Sequence, residues 1–160
     1  MNVIVVGCGR VGARVATELA ALEHSVVVID PRRSAFTRLP PTFTGKAITG
    51  SGTEMDVLRA AGAETADMLM ALTEGDNRNA LAAQLAKHEF NVPRVIAKIN
   101  DPIRADTYRT LGIETICRTV ILADALVMSA SSGAEATHGM TQAPTAEPRR
   151  DHGPAAPAGA

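Results

Sequence analysis

Tryptophan is missing from this 160-residue chain, and only one Tyr and three Phe are present. Single-stranded nucleic acid is held largely by stacking bases on aromatic rings, so that class of partner lacks its platform here. Charge of one sign is lacking too. Sixteen Lys and Arg stand against 17 Asp and Glu, a net charge of -1, which removes the electrostatic argument for a nucleic-acid partner. Cysteine is scarce: Cys8 and Cys117 show no metal-ligand spacing. The histidines (His24, His88, His138 and His152) stand apart, so no zinc site is expected. No stretch approaches the roughly 18 apolar residues of a membrane span. The opening lacks the basic leader and the length of a secretory signal. A soluble, cytoplasmic protein in a reducing compartment is the expectation.

With so few aromatics, the core must come from Ala, Val, Leu and Ile, and the length allows one domain of useful size. Short apolar runs alternate with longer helical patterns, the signature of βαβ units around a parallel sheet. Val3 to Val6 is a continuous β-branched run, as in a strand buried on both faces. Beyond the glycines, Val11, Val15, Leu19 and Leu22 recur at helical spacing and predict one apolar stripe. "SVVVID" predicts the second strand and "KAIT" the third, with a short helix at most before Pro40-Pro41. Thr53 is placed to cap a helix that ends at Gly62. "DMLMALT", "PRVIAKI" and "IETIC" predict the remaining strands, and "EGDNRNALAAQLAKHEF" a helix between two of them. Asp101, Pro102 and Gly112 delimit another helix, and "RTVILADALVMSA" is the last. The fold expected is α/β: a Rossmann-type, doubly wound, six-stranded parallel sheet over residues 1–130. Residues 131–160, rich in Ala, Pro and Gly, read as a disordered tail with too little apolar surface to offset its ordering entropy.

The stretch Gly7-Cys8-Gly9-Arg10-Val11-Gly12 follows a buried strand and opens an amphipathic helix. That context turns a common glycine pattern into a phosphate-binding one. Gly7 allows the tight turn, Gly9 lets a pyrophosphate approach the backbone, and Gly12 lets the helix pack close. Unpaired N–H groups at the helix start then face the phosphates. A tight turn without a ligand is the alternative. Asp30 ends the second strand about 20 residues further on, where an acid accepts hydrogen bonds from an adenosine ribose; it could instead simply start the turn before Pro31. The carboxylate disfavours a 2′-phosphate, since like charges ~4 Å apart repel by about 4 kcal/mol at an effective dielectric of 20. Arg32 and Arg33 could neutralise a phosphate or lie over an adenine. NAD(H) is thus favoured over NADP(H), with ADP and ATP as competitors. Arg10 has donors to spare for a further phosphate, or is a solvated surface side chain. Cys8 raises the idea of a redox sensor, although most buried thiols are inert packing.

The segments "VIVVGCGRVGARVATELA", "VVVID", "AITGSGTEMDVLRAAGAETADMLMALT", "GDNRNALAAQLAK", "RVIAKINDP" and "LGIETIC" together resemble the TrkA-type nucleotide-binding domains, also called RCK or KTN domains. Those domains regulate potassium channels and transporters. The resemblance implies that Gly7, Gly9, Arg10, Val11 and Gly12 form the phosphate turn and that Asp30 is the ribose acid. It implies that Gly52 and Thr53 line the adenine pocket, with Thr73 over the sugar or phosphate. Asp76 and Asn79 match the family's polar helix start, and Lys98 its basic residue facing the ligand. With Cys8, Pro31 and Arg32 these make up the candidate cofactor-binding set. Two departures stand out: Ser51 occupies a position often acidic in the family, and Arg118 and Thr119 lie where some ATP-binding members carry a metal-associated Glu. No metal site is therefore expected. The family's C-terminal ligand-binding lobe has no counterpart in this sequence, so its functions are not expected either.

No Tyr-x-x-x-Lys or His-Asp constellation is present to move a proton during hydride transfer. Asp76 and Asp101 have simpler roles near helix starts, so binding without catalysis is expected. Val120, Ile121, Leu122, Ala123, Ala125, Leu126, Val127 and Met128 surround the last helix with apolar groups, more than one sheet face can cover. The resemblance implies that this helix crosses to a neighbouring subunit. The expected function is a cytoplasmic regulatory subunit of a potassium uptake system, membrane-associated through its transporter. It would act as a homo-oligomer, a dimer or ring of dimers, or with a paired paralogous regulator. It would bind NAD(H), or alternatively ATP or ADP, and gate a membrane-embedded transporter. A small NAD(H)-dependent oxidoreductase and a regulator of a different transporter are the rival readings.

Overall fold

Runs such as Val3-Ile4-Val5-Val6 leave no polar face to turn toward water, and the structure covers them on both sides. The computed structural model describes residues 1–131. The first of two units, Met1–Ala123, holds the entire sheet. Its strands are β1 (Asn2–Val6), β2 (Ser25–Asp30), β3 (Lys46–Thr49), β4 (Met68–Ala71), β5 (Arg94–Lys98) and β6 (Glu114–Ile116). They lie in the order β3-β2-β1-β4-β5-β6, with each neighbouring pair parallel. The Rossmann-type α/β fold read from the sequence is the one observed.

The helices are α1 (Arg10–Ala21), α2 (Met55–Ala60), α3 (Asp76–His88), α4 (Pro102–Thr110) and α5 (Arg118–Ser131), with 3₁₀ turns at Arg33–Arg38 and Ala63–Thr65. Alternate residues of β1 feed two apolar layers. Val3 and Val5 pack with Ala13 and Ala16 of α1 on one face, while Ile4 and Val6 join Leu58, Ala83 and Ala105 on the other. Asp101 caps α4, its Oδ1 accepting from the N–H groups of Ile103 and Arg104 at 2.9 and 3.3 Å, and Pro102 takes the first turn as expected.

Three local expectations are corrected. The face α1 buries is Gly12, Ala13 and Ala16, whereas Val11 and Leu22 of the expected stripe are exposed. A helix lying close on a sheet accepts its smallest side chains at the contact, and periodicity of large apolar residues does not reveal that. Thr53 is not the cap of α2, which follows Glu54; its hydroxyl pairs with Ser51 Oγ at 2.7 Å instead. β4 stops at Ala71, because Thr73 is captured by a side chain of α3 rather than continuing the ladder.

The second unit begins at Asp124, and its described part is the end of α5. Ser131 closes that helix, and the rest of the expected tail lies outside the described residues. Among the described residues no helix is long and apolar enough to cross a membrane.

Candidate functional site

Strand order reverses between β1 and β4, and in open parallel sheets the crevice beyond the strand ends at such a point is where ligands bind. A cleft of about 260 Å³ lies there. Its floor is Val6, Gly7 and Gly9 from the turn after β1. One wall is Asp30, Pro31 and Arg32 at the tip of β2, with Ser51, Gly52 and Thr53 after β3. The opposite wall is Leu72, Thr73, Glu74 and Arg78, after β4 and in the first turn of α3.

The turn is tied to both walls. Gly7 has φ +103, and its Cα presses on the neighbouring strand end: a methyl group there would lie 3.0 Å from the Thr73 nitrogen. Only glycine fits that combination. Gly12 packs tighter still, since a methyl group on it would sit 1.9 Å from the Gly7 carbonyl oxygen. Gly9, by contrast, faces open space, with nothing within 4 Å of such a methyl group. The bare backbone of the cleft floor is therefore accessible where a phosphate would need it.

Asp30 is 3% exposed and already engaged. Oδ2 accepts from the Cys8 N–H at 2.9 Å, and Oδ1 accepts from the Arg32 N–H at 2.9 Å and from Arg32 Nε at 3.4 Å. A carboxylate has about four lone-pair sites, so capacity remains for a ligand hydroxyl. Asp30 thus braces the glycine turn as well as facing the cleft.

Of the candidate set, Gly7, Gly9, Asp30, Pro31, Arg32, Gly52, Thr53 and Thr73 line one cleft. The others lie elsewhere. Cys8 is fully buried among apolar side chains. Burial and the nearby Asp30 charge raise its thiol above the ordinary value, against a smaller opposing effect of Arg38. A thiol so protected is a poor nucleophile, which removes the physical basis for a redox sensor at this position. Val11 faces outward, and Gly12 is spent on packing. Arg10 borders a separate shallow depression with Arg14, Glu18 and Arg38.

Asn79 is completely buried and fully satisfied. Its Oδ1 accepts from the N–H and hydroxyl of Thr73 at 2.8 and 2.7 Å, and its Nδ2 donates to the carbonyls of Thr73 and Lys98 at 3.0 and 2.7 Å. That exhausts an amide side chain, so Asn79 positions Thr73 instead of meeting a ligand. Lys98 is 8% exposed, off the cleft wall. Burial pulls its ammonium below the ordinary lysine value; Glu74 and Asp76 oppose that shift, and Arg118 adds to it. Ser51, Leu72, Glu74 and Arg78 are wall residues outside the candidate set; nothing in the spacing of Glu74 and Arg78 distinguishes them from a solvated first turn.

Asp76 staples the loop after β5 to α3. Its carboxylate accepts from the Asn100 N–H at 3.0 Å, from Asn100 Nδ2 at 2.9 Å and from the Asp101 N–H at 3.1 Å. Burial alone would raise this carboxyl, but those hydrogen bonds and the Arg104 charge outweigh it and hold it below the usual aspartate value. A carboxyl depressed in the native state stabilises fully above the unfolded value, about pH 4, and its contribution fades as pH falls through the native one. In urea titrations across pH, Asp76→Asn is expected to show a shallower acid limb than the wild type. Parallel curves would contradict this role. Among the described residues no group of three or more His, Cys, Asp and Glu side chains could hold a metal ion.

Residues 3–119 match the TrkA-N domain family. The Trk system potassium uptake protein TrkA of Streptomyces coelicolor is 42% identical over 136 residues, covering 84% of this chain and 61% of that protein. The chain thus spans less than two thirds of that relative. The TrkA-N domain of Escherichia coli inner membrane protein ybaL superposes with a TM-score of 0.71 at 19% identity, over 79% of this chain and 94% of that one. The Shewanella denitrificans Kef CTD in its AMP-bound form gives 0.67 at 26% identity, over 83% and 82%. A GsuK channel bound to NAD gives 0.67 at 21% identity, over 78% of this chain and 23% of that one.

Proposed function

The chain belongs to the TrkA-N domain family, and from that footing we propose that it is a cytoplasmic regulatory subunit of a potassium uptake system. It binds an adenine nucleotide, NAD(H) or ADP/ATP, in the cleft at the β1–β4 switch point and leaves it chemically unchanged. The observation that carries this reading is the convergence of an open Gly9 backbone, Asp30 and Thr73 on one crevice. The glycine turn offers amide donors to phosphates, and the residual capacity of Asp30 suits a ribose hydroxyl. AMP in the Kef CTD and NAD in the GsuK channel support the ligand class.

A binding protein regulates only if its ligand favours one arrangement of the assembly over another. α5 supplies the means to assemble. Val120, Ile121 and Leu122 are exposed in the first unit, and Leu126 and Val127 are exposed in the second. Leaving three such side chains in water forgoes on the order of 5 kcal/mol, which a second copy or a paralogous regulator recovers by covering them. The signal then passes to a membrane-embedded potassium transporter subunit, at which this protein sits on the cytoplasmic face.

Titration with NADH, followed by its fluorescence, is expected to saturate. Asp30→Ala should weaken binding by about 1–3 kcal/mol, the scale of a hydrogen bond to a charged group, with folding checked by thermal unfolding. A folded variant with unaltered affinity, or sustained oxidation of NADH with a carbonyl compound by the wild type, would overturn the proposal.

A further inference from the structure

Two arginines border the cleft, one on each wall, and they differ in how far they are committed. Arg32 leans on Asp30, Nε to Oδ1 at 3.4 Å. Arg78 makes no hydrogen bond or ion pair among the described residues. Its guanidinium nevertheless has a defined seat over the loop before α3: a methyl group on Gly75 would lie 3.3 Å from Nε and 3.4 Å from Nη2. From there it lines both the cleft and the polar depression that holds Asp76 and Asn100.

Glu74 is the opposing charge on the same wall. Its field acts on Lys98, the nearly buried ammonium behind it, and Asp76 is taken up by the Asn100 and Asp101 donors. Arg78 is the cation at the Thr73 end of the cleft that has no hydrogen-bonded or ion-paired partner among the described residues.

The direction of a bound nucleotide follows from the walls. Asp30 at β2 suits the ribose and the glycine turn at β1 suits the phosphates, so the next group along falls beyond β4. From β2 to β4 is two strand spacings, roughly 10 Å, which a ribose bearing consecutive phosphates can bridge. A guanidinium offers several parallel N–H donors that match a phosphate's oxygens, and gains most from a dianionic terminal one. In AMP that group is absent. In NAD⁺ the second phosphate is a monoanionic diester that runs on into a cationic nicotinamide riboside, so no dianionic terminal group reaches the guanidinium.

Building on the nucleotide-binding reading above, we infer that Arg78 grips the terminal phosphate of a nucleoside di- or triphosphate, making this cleft selective for ADP and ATP over AMP and NAD⁺. The test is calorimetric titration of the full chain with ATP, ADP, AMP and NAD⁺, in the wild type, Arg78→Ala and Arg78→Lys. Arg78→Ala should lower affinity for ATP and ADP by about tenfold or more, with AMP and NAD⁺ changed less than about twofold. Arg78→Lys should recover part of the loss, since an ammonium keeps the charge without the fork. Because Arg78 is exposed and unpaired, the thermal unfolding midpoint should stay the same. Unchanged ATP affinity in Arg78→Ala, or an equal drop for all four compounds, would overturn the inference. A wild type that binds none of the four would instead remove the nucleotide reading itself, and this selectivity with it.

Discussion

Gly12→Ala is expected to destabilise the domain by about 3 kcal/mol or more, the upper end of what overpacking costs. The added carbon would arrive 1.9 Å from the carbonyl oxygen of Gly7 and 3.0 Å from its carbonyl carbon. Both are backbone atoms, pinned by the Gly7 N–H donating to the Ile29 carbonyl at 2.7 Å. No rotamer change relieves such a clash, so α1 must lift from the sheet, and Ala13 and Ala16 lose their contacts with it. At 2–4 °C per kcal/mol for a domain of roughly this size, the unfolding midpoint should fall by about 10 °C. Gly9→Ala is the matched comparison. It meets nothing within 4 Å, so its stability should stay within about 0.5 kcal/mol of the wild type, while the methyl group intrudes on the cleft floor and weakens nucleotide binding. Equal midpoints for Gly12→Ala and the wild type in calorimetry would show that the helix is not seated as described.

The second large effect is expected at Asn79. Asn79→Leu keeps the volume roughly but strands the Thr73 N–H, the Thr73 carbonyl and the Lys98 carbonyl without the partners they have now. Each buried group left unpaired costs about 1–3 kcal/mol, so a total loss near 4 kcal/mol is expected in urea unfolding. The damage should also be local before it is global. Amide hydrogen exchange at Thr73 should accelerate well ahead of that at Val5 or Val28, which sit inside the sheet. A loss below about 1 kcal/mol would mean that water replaces the amide at little cost, and that Asn79 does not position the cleft wall.

These two residues also mark where the sequence was readable. The strands were plain because a parallel sheet needs apolar residues on both faces, and continuous runs such as Val26 to Ile29 occur for little other reason. Gly7, Gly9 and Asp30 could be assigned to one crevice because strand, turn and helix order constrains them strongly. The inner face of α1 was less legible: Gly12, Ala13 and Ala16 carry little hydrophobic signal, yet small size is what close packing selects. Asn79, Asp76 and Lys98 looked like ligand residues because they match polar and basic positions of the family the sequence resembles. Burial and hydrogen-bond saturation, which decide otherwise for Asn79, depend on tertiary neighbours that no local spacing encodes. Arg78 and Glu74 escaped notice for the converse reason, being ordinary charges on a helix approach until the fold turns them over the cleft.

The outermost strands have a consequence for how copies of this chain could meet. β3 is four residues long and begins with Lys46, and β6 is only three, with Glu114 locked to Arg94 by two hydrogen bonds of 3.0 and 3.1 Å. Such borders offer too few consecutive amides, and too much charge, for another sheet to extend them. Growth by adding strand to strand is thereby discouraged, and helical surfaces are left as the route to self-association.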